Sequence, residues 1–149
     1  MAVPENGDNP RARGEVNQIS FDDSVTRGLV HAVLNSSLYY LFFCAYTDTR
    51  HINPSDVTDF PIDVGRFYPD TKSKLNGLSA QLENCFIANT RKVRKSGLLI
   101  DSINTKPCKS IIDKIDAVLA DHYGFLEEEL DYIINYDIKY RMGQGNSDA

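Results

Sequence analysis

The sequence predicts a mainly helical single domain of four to five helices with one or two short strands. Apolar residues recur at three- and four-residue spacing over residues 22–46, 72–95 and 110–124. Start and stop residues bracket these stretches, and one short apolar run, Leu98 to Ile103, instead suits a strand. With 149 residues, 42% of them hydrophobic, the chain suits one domain with a real core.

Residues 1–18 hold two prolines, two glycines and no apolar period, which predicts a flexible lead before a module spanning 19–143. Asp22 or Asp23 can cap the first helix. Val25, Leu29, Val30, Val33, Leu34, Leu38 and Leu41 then carry a helical rhythm as far as Tyr46. The part from Leu38 to Tyr46 is apolar nearly all round, as expected of a helix buried among several neighbours, although its length alone does not separate helix from strand. Residues 47–62 contain polar side chains and two prolines, which predict a loop around one short helical turn.

Lys72 to Lys95 reads as a long amphipathic helix with Leu75, Leu78, Leu82, Phe86 and Val93 on one face, ended by Gly97. After the strand, Ser110 can cap a helix with Asp113 reaching back to it. Ile111, Ile112, Ile115, Val118 and Leu119 are then buried, and Asp113, Lys114 and Asp121 face water. Gly124 suits a left-handed C-cap, and Glu127, Glu128 and Glu129 open a last helix running to Tyr140, where negative charge suits the helix dipole. The tail 144–149 is polar and expected to fray.

Two blocks of words carry a family resemblance. The first comprises Leu34-Asn35-Ser36, the aromatic run Tyr39 to Tyr46, Asp48, Arg50-His51 and Phe60-Pro61-Ile62. The second comprises Ser110 to Asp116, Leu119-Ala120-Asp121-His122-Tyr123-Gly124 and Glu128 to Gly143. Together they resemble the C-terminal, target-recognition end of adenine-specific DNA methyltransferases of type IIG restriction-modification and phage-defence systems. The resemblance implies a non-catalytic module that helps recognise or clamp double-stranded DNA. It also implies a catalytic methyltransferase domain or subunit as partner, with S-adenosylmethionine as cofactor of the parent enzyme and no cofactor in this chain.

The chain lacks the motifs of that catalytic part. No GxGxxG or Walker pattern occurs, and Asn53-Pro54-Ser55 lacks the second proline and the aromatic of a base-holding loop, so it reads as a helix-entry turn. Pro69-Asp70 and Asp137-Ile138-Lys139 supply the letters of a nuclease pattern, but no strand hairpin is expected to unite them. His31, His51 and His122 are too widely spaced for a metal set. Cys44, Cys85 and Cys108 are odd in number and form no CxxC pair, so neither zinc nor a disulfide framework is expected and a reducing cytoplasm is the simplest setting. The longest apolar run, Leu38 to Ala45, falls far short of the roughly 18 residues of a membrane span.

Charge is the strongest physical pointer to function. Residues 1–71, 72–109 and 110–149 carry net charges of −5, +6 and −6, so a basic segment lies between two acidic ones. Lys72 and Lys74 at one end of the long helix, and Arg91, Lys92, Arg94 and Lys95 at the other, are the candidate phosphate contacts, with Arg50 and His51 as a further pair. The plainer reading is a solvated face whose basic end suits the helix dipole. Asp48, Arg50 and His51 are expected to form a buried ion-pair network that fixes their loop. Tyr132, Tyr136 and Tyr140, at i, i+4 spacing, read as a packing stripe. The competing function is a protein-interaction module whose acidic C-terminal helices pack on the catalytic domain or a partner without touching DNA.

Overall fold

A computed structural model describes residues 2–3, 18–50, 52–95 and 98–141. Seven helices are present among them: α1 (Ser24–Leu34), α2 (Ser37–Tyr46), α3 (Pro54–Thr58), α4 (Pro69–Ala88), α5 (Lys109–Tyr123), α6 (Glu127–Asn135) and α7 (Ile138–Arg141). β2 (Thr90–Lys95) and β3 (Leu98–Ile103) form an antiparallel ribbon. β1 (Ala2–Val3) pairs with Leu99 and Ile100 on the far edge of β3, so part of the expected flexible lead forms a short strand. The class is thus mainly α with a small sheet, as the sequence predicts. The expected helix end at Gly97 and the tail 144–149 lie outside the described residues.

The expected helix over 22–46 is two helices meeting at 62°. Asn35 and Ser36 break it, because their side chains compete with the backbone ladder. Asn35 Nδ2 donates to the His31 carbonyl at 2.8 Å, and Ser36 Oγ donates to the Val33 carbonyl at 2.6 Å and accepts from Tyr39 N at 3.0 Å. Asp23 caps α1 by accepting from Thr26 N at 2.7 Å, and the Thr26 hydrogen bonds, with a smaller contribution from Lys72, hold its carboxyl below the usual range. The short turn α3 enters through Asn53 with Pro54 at its first position, as expected.

α4 begins at Pro69 and ends at Ala88, seven residues before the expected end at Lys95. Asn89 and Thr90 stop it: Asn89 Nδ2 donates to the Cys85 carbonyl at 2.8 Å and Thr90 Oγ1 to the Phe86 carbonyl at 2.6 Å. Beyond them, ladder bonding to the apolar strand Leu98–Ile103 outweighs the weak helical period of a segment rich in β-compatible residues. α5 begins at Lys109 after a 3-10 turn over Lys106–Cys108, so Ser110 is inside the helix and Asp113 pairs with Lys109 instead of reaching back. Gly124 is left-handed at φ 75°, as expected. The last helix breaks at Tyr136–Asp137, where Asp137 takes φ 50°, a conformation Asp tolerates better than most residues.

The core lies where α1, α4 and α5 meet. Leu29 and Val33 pack with Leu75, Leu82, Ile115 and Leu119, all fully buried, and Tyr39, Phe60 and Phe67 close its end. α1 packs most extensively on α4, and Gly28 permits the approach. A Cβ there would lie 1.9 Å from Asn76 Oδ1, whereas one at Gly77 would meet nothing within 4 Å. Gly77→Ala should therefore stabilise by about 1 kcal/mol through helix propensity. Gly28→Ala should gain less than Gly77→Ala, because the Asn76 side chain must move aside, and adding Asn76→Ala should restore a gain of about 1 kcal/mol; denaturant unfolding checks this.

His31 faces α4 across the same interface, its Nδ1 2.8 Å from Ser79 Oγ. Burial pushes its pKa below 6.5, with Glu83 opposing. Because the folded pKa is lowered, the contribution to stability is present above pH 6.5 and is lost as pH falls through the lowered value. Unfolding free energy measured downward from pH 7 should decline in this window, and His31→Gln should flatten the decline.

The cysteine expectation is corrected. Cys85 in the last turn of α4 and Cys108 at the end of the 3-10 turn form a disulfide, with Cα atoms 5.9 Å apart, while Cys44 is free. No described helix is long and apolar enough to cross a membrane.

Candidate nucleic-acid interface

The basic residues fall into two groups that the fold keeps apart. Lys72 and Lys74 lie in the first half of α4, and β2 begins about 25 Å further along the axis of that helix. Lys72 is half-buried and near enough to Asp23 to lower its pKa, so part of its charge is spoken for. Arg91, Lys92 and Arg94 are exposed on β2, and Lys95 ends the same strand. Four cations thus occupy a six-residue edge strand instead of the C-terminal turns of a helix. The helix-dipole explanation does not apply to them.

Alternation along the strand puts Arg91, Val93 and Lys95 on one face and Thr90, Lys92 and Arg94 on the other. Lys92 stands opposite Asp101, Arg91 opposite Ser102 and Arg94 opposite Leu99. The Lys92–Asp101 position favours a cross-strand charge pair. A polar cleft of about 470 Å³ at the base of the ribbon is lined by Asn89, Thr90, Arg91, Ser102 and Asn104. The strands pack mainly on each other and on β1, whereas the helices pack mainly among themselves, so the ribbon is an arm on a helical body. The Cys85–Cys108 bond joins the two feet of that arm.

Asp48 and Arg50 are both exposed, so the expected buried ion-pair network is corrected for these two residues. Asp48 Oδ1 accepts from Arg50 N at 3.0 Å and Thr49 N donates to Thr47 Oγ1 at 3.1 Å, so local turns fix the loop, with Thr49 at φ 59°. His51 lies outside the described residues. Ile52 of the same loop lines a hollow together with Phe86 and Thr105, beside the feet of the ribbon. Tyr132 and Tyr136 do form a stripe, with ring centroids 5.8 Å apart, and Tyr136 also meets Tyr40 at 6.4 Å.

The segments that carry the family resemblance, with their immediate neighbours Ser37, Leu38 and Phe67, pack against each other. Asp116, 2% exposed, accepts from Ser37 N at 2.8 Å and Leu38 N at 3.4 Å, placing a carboxylate on the N-terminus of α2. Arg141 Nη2 donates to Ser37 Oγ at 2.8 Å and its guanidinium lies 4.6 Å from the centre of the Tyr40 ring. Tyr123 Oη donates to the Pro61 carbonyl at 3.1 Å, and His122 stacks on Phe67 with centroids 3.7 Å apart. Sequence reading missed Asp116, yet its signal was there: it lies four residues after Ile112 and three before Leu119, on the buried face of α5. Burial raises its pKa, opposed by the hydrogen bonds from Ser37 and Leu38 and by Arg141.

α2 corrects one further expectation. Only Ser37 and Tyr39 of this apolar helix are buried. Its outer face opens into a hollow of about 420 Å³ lined by residues including Leu38, Leu41, Phe42, Tyr46, Phe60 and Phe125. A second hollow of about 410 Å³ shares Leu38, Leu41 and Phe125 and continues to Glu128, Glu129 and Tyr132.

The described glycines do not fit a methyl-donor site. Gly28 and Gly77 lie within helices, Gly65 in a 3-10 turn and Gly124 at a helix C-cap, so none makes a glycine-rich turn between strand and helix. His31 bonds Ser79 and His122 stacks on Phe67, and no group of three metal-ligating side chains occurs among the described residues. Asp70 lies in the first turn of α4 and Asp137 between α6 and α7, and neither is on the ribbon. Comparisons with protein families, curated proteins and solved structures return no match.

Proposed function

We propose that this chain is a non-catalytic module of an adenine-specific DNA methyltransferase that recognises or clamps double-stranded DNA, and that the β2–β3 ribbon is the contact. The observation that carries the reading is the placement of Arg91, Lys92, Arg94 and Lys95 on one edge strand of a ribbon set apart from the core. A two-stranded ribbon fits the major groove, and arginine can bond both phosphate and the guanine edge. The packing of the segments that carry the family resemblance against each other supports the same reading. On it, methyl transfer and S-adenosylmethionine belong to a catalytic domain or subunit elsewhere.

Cations on an edge strand also prevent edge-to-edge pairing, which is the purely protective account of the same residues. The second functional reading, a protein-interaction module, is favoured by the half-covered face of α2. Salt dependence separates these readings. Affinity for duplex DNA should fall steeply between low and moderate salt, and Arg91→Ala with Lys92→Ala and Arg94→Ala should reduce the slope of log K against log salt by about 2–3. Lys72→Ala with Lys74→Ala, at the other end of α4, should change it less. An unchanged slope in the triple variant, or no binding at low salt, would count against DNA contact by the arm.

A further inference from the structure

We infer that the groove along α2 receives an amphipathic helix of a partner polypeptide, apolar on one face and flanked by lysine or arginine. This inference stands apart from the DNA reading, since it uses none of the residues of the arm. It begins from a mismatch between sequence and burial. A helix that is apolar nearly all round is stable in water when neighbours cover it, yet α2 has α1, α5 and α6 on its inner side and open hollows on its outer side. Tyr46 is 79% exposed and Tyr132 59% exposed at the ends of this surface.

The two hollows adjoin at Leu38, Leu41 and Phe125 and together make the groove along α2. Ten residues of α2 give it a length of about 15 Å, enough to hold about three turns of a docked helix. Its charge selects the occupant. Glu128 and Glu129 line one of the two hollows, and no lysine or arginine lines either hollow among the described residues. Glu129 already accepts from Leu126 N at 2.8 Å, which leaves the exposed Glu128 as the main electrostatic guide. An acidic wall disfavours nucleic acid and anionic lipid and favours a cation beside the apolar face. A helix meets these requirements with leucines at i, i+3, i+4 and i+7 and lysines on the adjoining positions.

The test uses the full chain and two fluorescent synthetic helices of about 18 residues, identical in their leucine stripe but flanked by lysine or by glutamate. The lysine-flanked peptide should bind, and Leu41→Ser with Tyr46→Ser should weaken it about tenfold. The glutamate-flanked peptide should bind more weakly by a similar factor, and Glu128→Lys should reverse that order. Circular dichroism of each variant confirms that the helices persist, and Arg91→Ala should leave peptide affinity unchanged. The inference fails if neither peptide binds or if the flanking charge has no effect. It also fails if the groove variants act only on self-association in sedimentation, or if the chain prefers anionic phospholipid vesicles to the peptide.

Discussion

Asp116→Ala should lower the unfolding free energy by about 3 kcal/mol. The substitution strips the first two N–H groups of α2 of their acceptor inside the protein, and each buried donor left unpaired costs about 1–3 kcal/mol. It also removes an opposite charge that interacts with Arg141, whose Nη1 is buried without a hydrogen bond to the described residues. Removing a buried carboxylate relieves some desolvation, so the net cost stays below the sum of these effects. Asp116→Asn keeps an acceptor and should cost about 1 kcal/mol. The pH dependence separates the two contributions. The folded pKa of Asp116 is raised, so relative to the unfolded chain the folded state gains stability below pH 3.8 and loses it as pH rises through the raised value. Urea unfolding across this range should show the slope in the wild type and not in Asp116→Asn. A cost under about 1 kcal/mol for Asp116→Ala would show that α2 does not depend on this cap.

Cys85→Ala should cost about 3 kcal/mol under oxidising conditions, because the bond to Cys108 closes a loop of 23 residues whose entropy the unfolded chain otherwise regains. Cys108 is the poorer choice for substitution, being fully buried, whereas the Cys85 side chain is half-buried. Reductant should destabilise the wild type by about the same amount and leave Cys85→Ala unaffected. That comparison isolates the bond from the packing of the cysteine side chain. The loop contains the whole ribbon, so breaking the bond frees both of its feet, and amide exchange should rise over residues 89–104 more than in α5. Equal exchange in both segments would show that the bond stabilises the body and not the arm.

Much of the helical content was legible because it rests on local chemistry. Asp23, Pro54 and Gly124 act at the helix ends where their side chains or backbone preferences place them, and Leu75, Leu82, Ile112, Ile115 and Leu119 reach the core their spacing predicts. The breaks were also written locally, in Asn35-Ser36 and Asn89-Thr90, but a continuous apolar rhythm across them obscured the signal. The candidate site was less legible. The basic cluster is visible in sequence as a charge run, but its spacing suits a helix as well as a strand, and only the ladder to Leu98–Ile103 sets the period of two.

By itself the sequence determined the class, the core faces of α4 and α5, the left-handed stop at Gly124 and the basic segment between acidic neighbours. Only the tertiary structure decided that Arg91 to Lys95 is an edge strand, that Cys85 meets Cys108, that Asp116 caps a helix 79 residues earlier and that α2 is half-covered. The physical reason is common to these four. Each depends on a partner remote in sequence: a strand for its ladder bonds, a second sulfur, two backbone N–H groups, or a neighbouring surface. Local patterns report what a segment can do alone, and such long-range partners select among those options once the chain has folded.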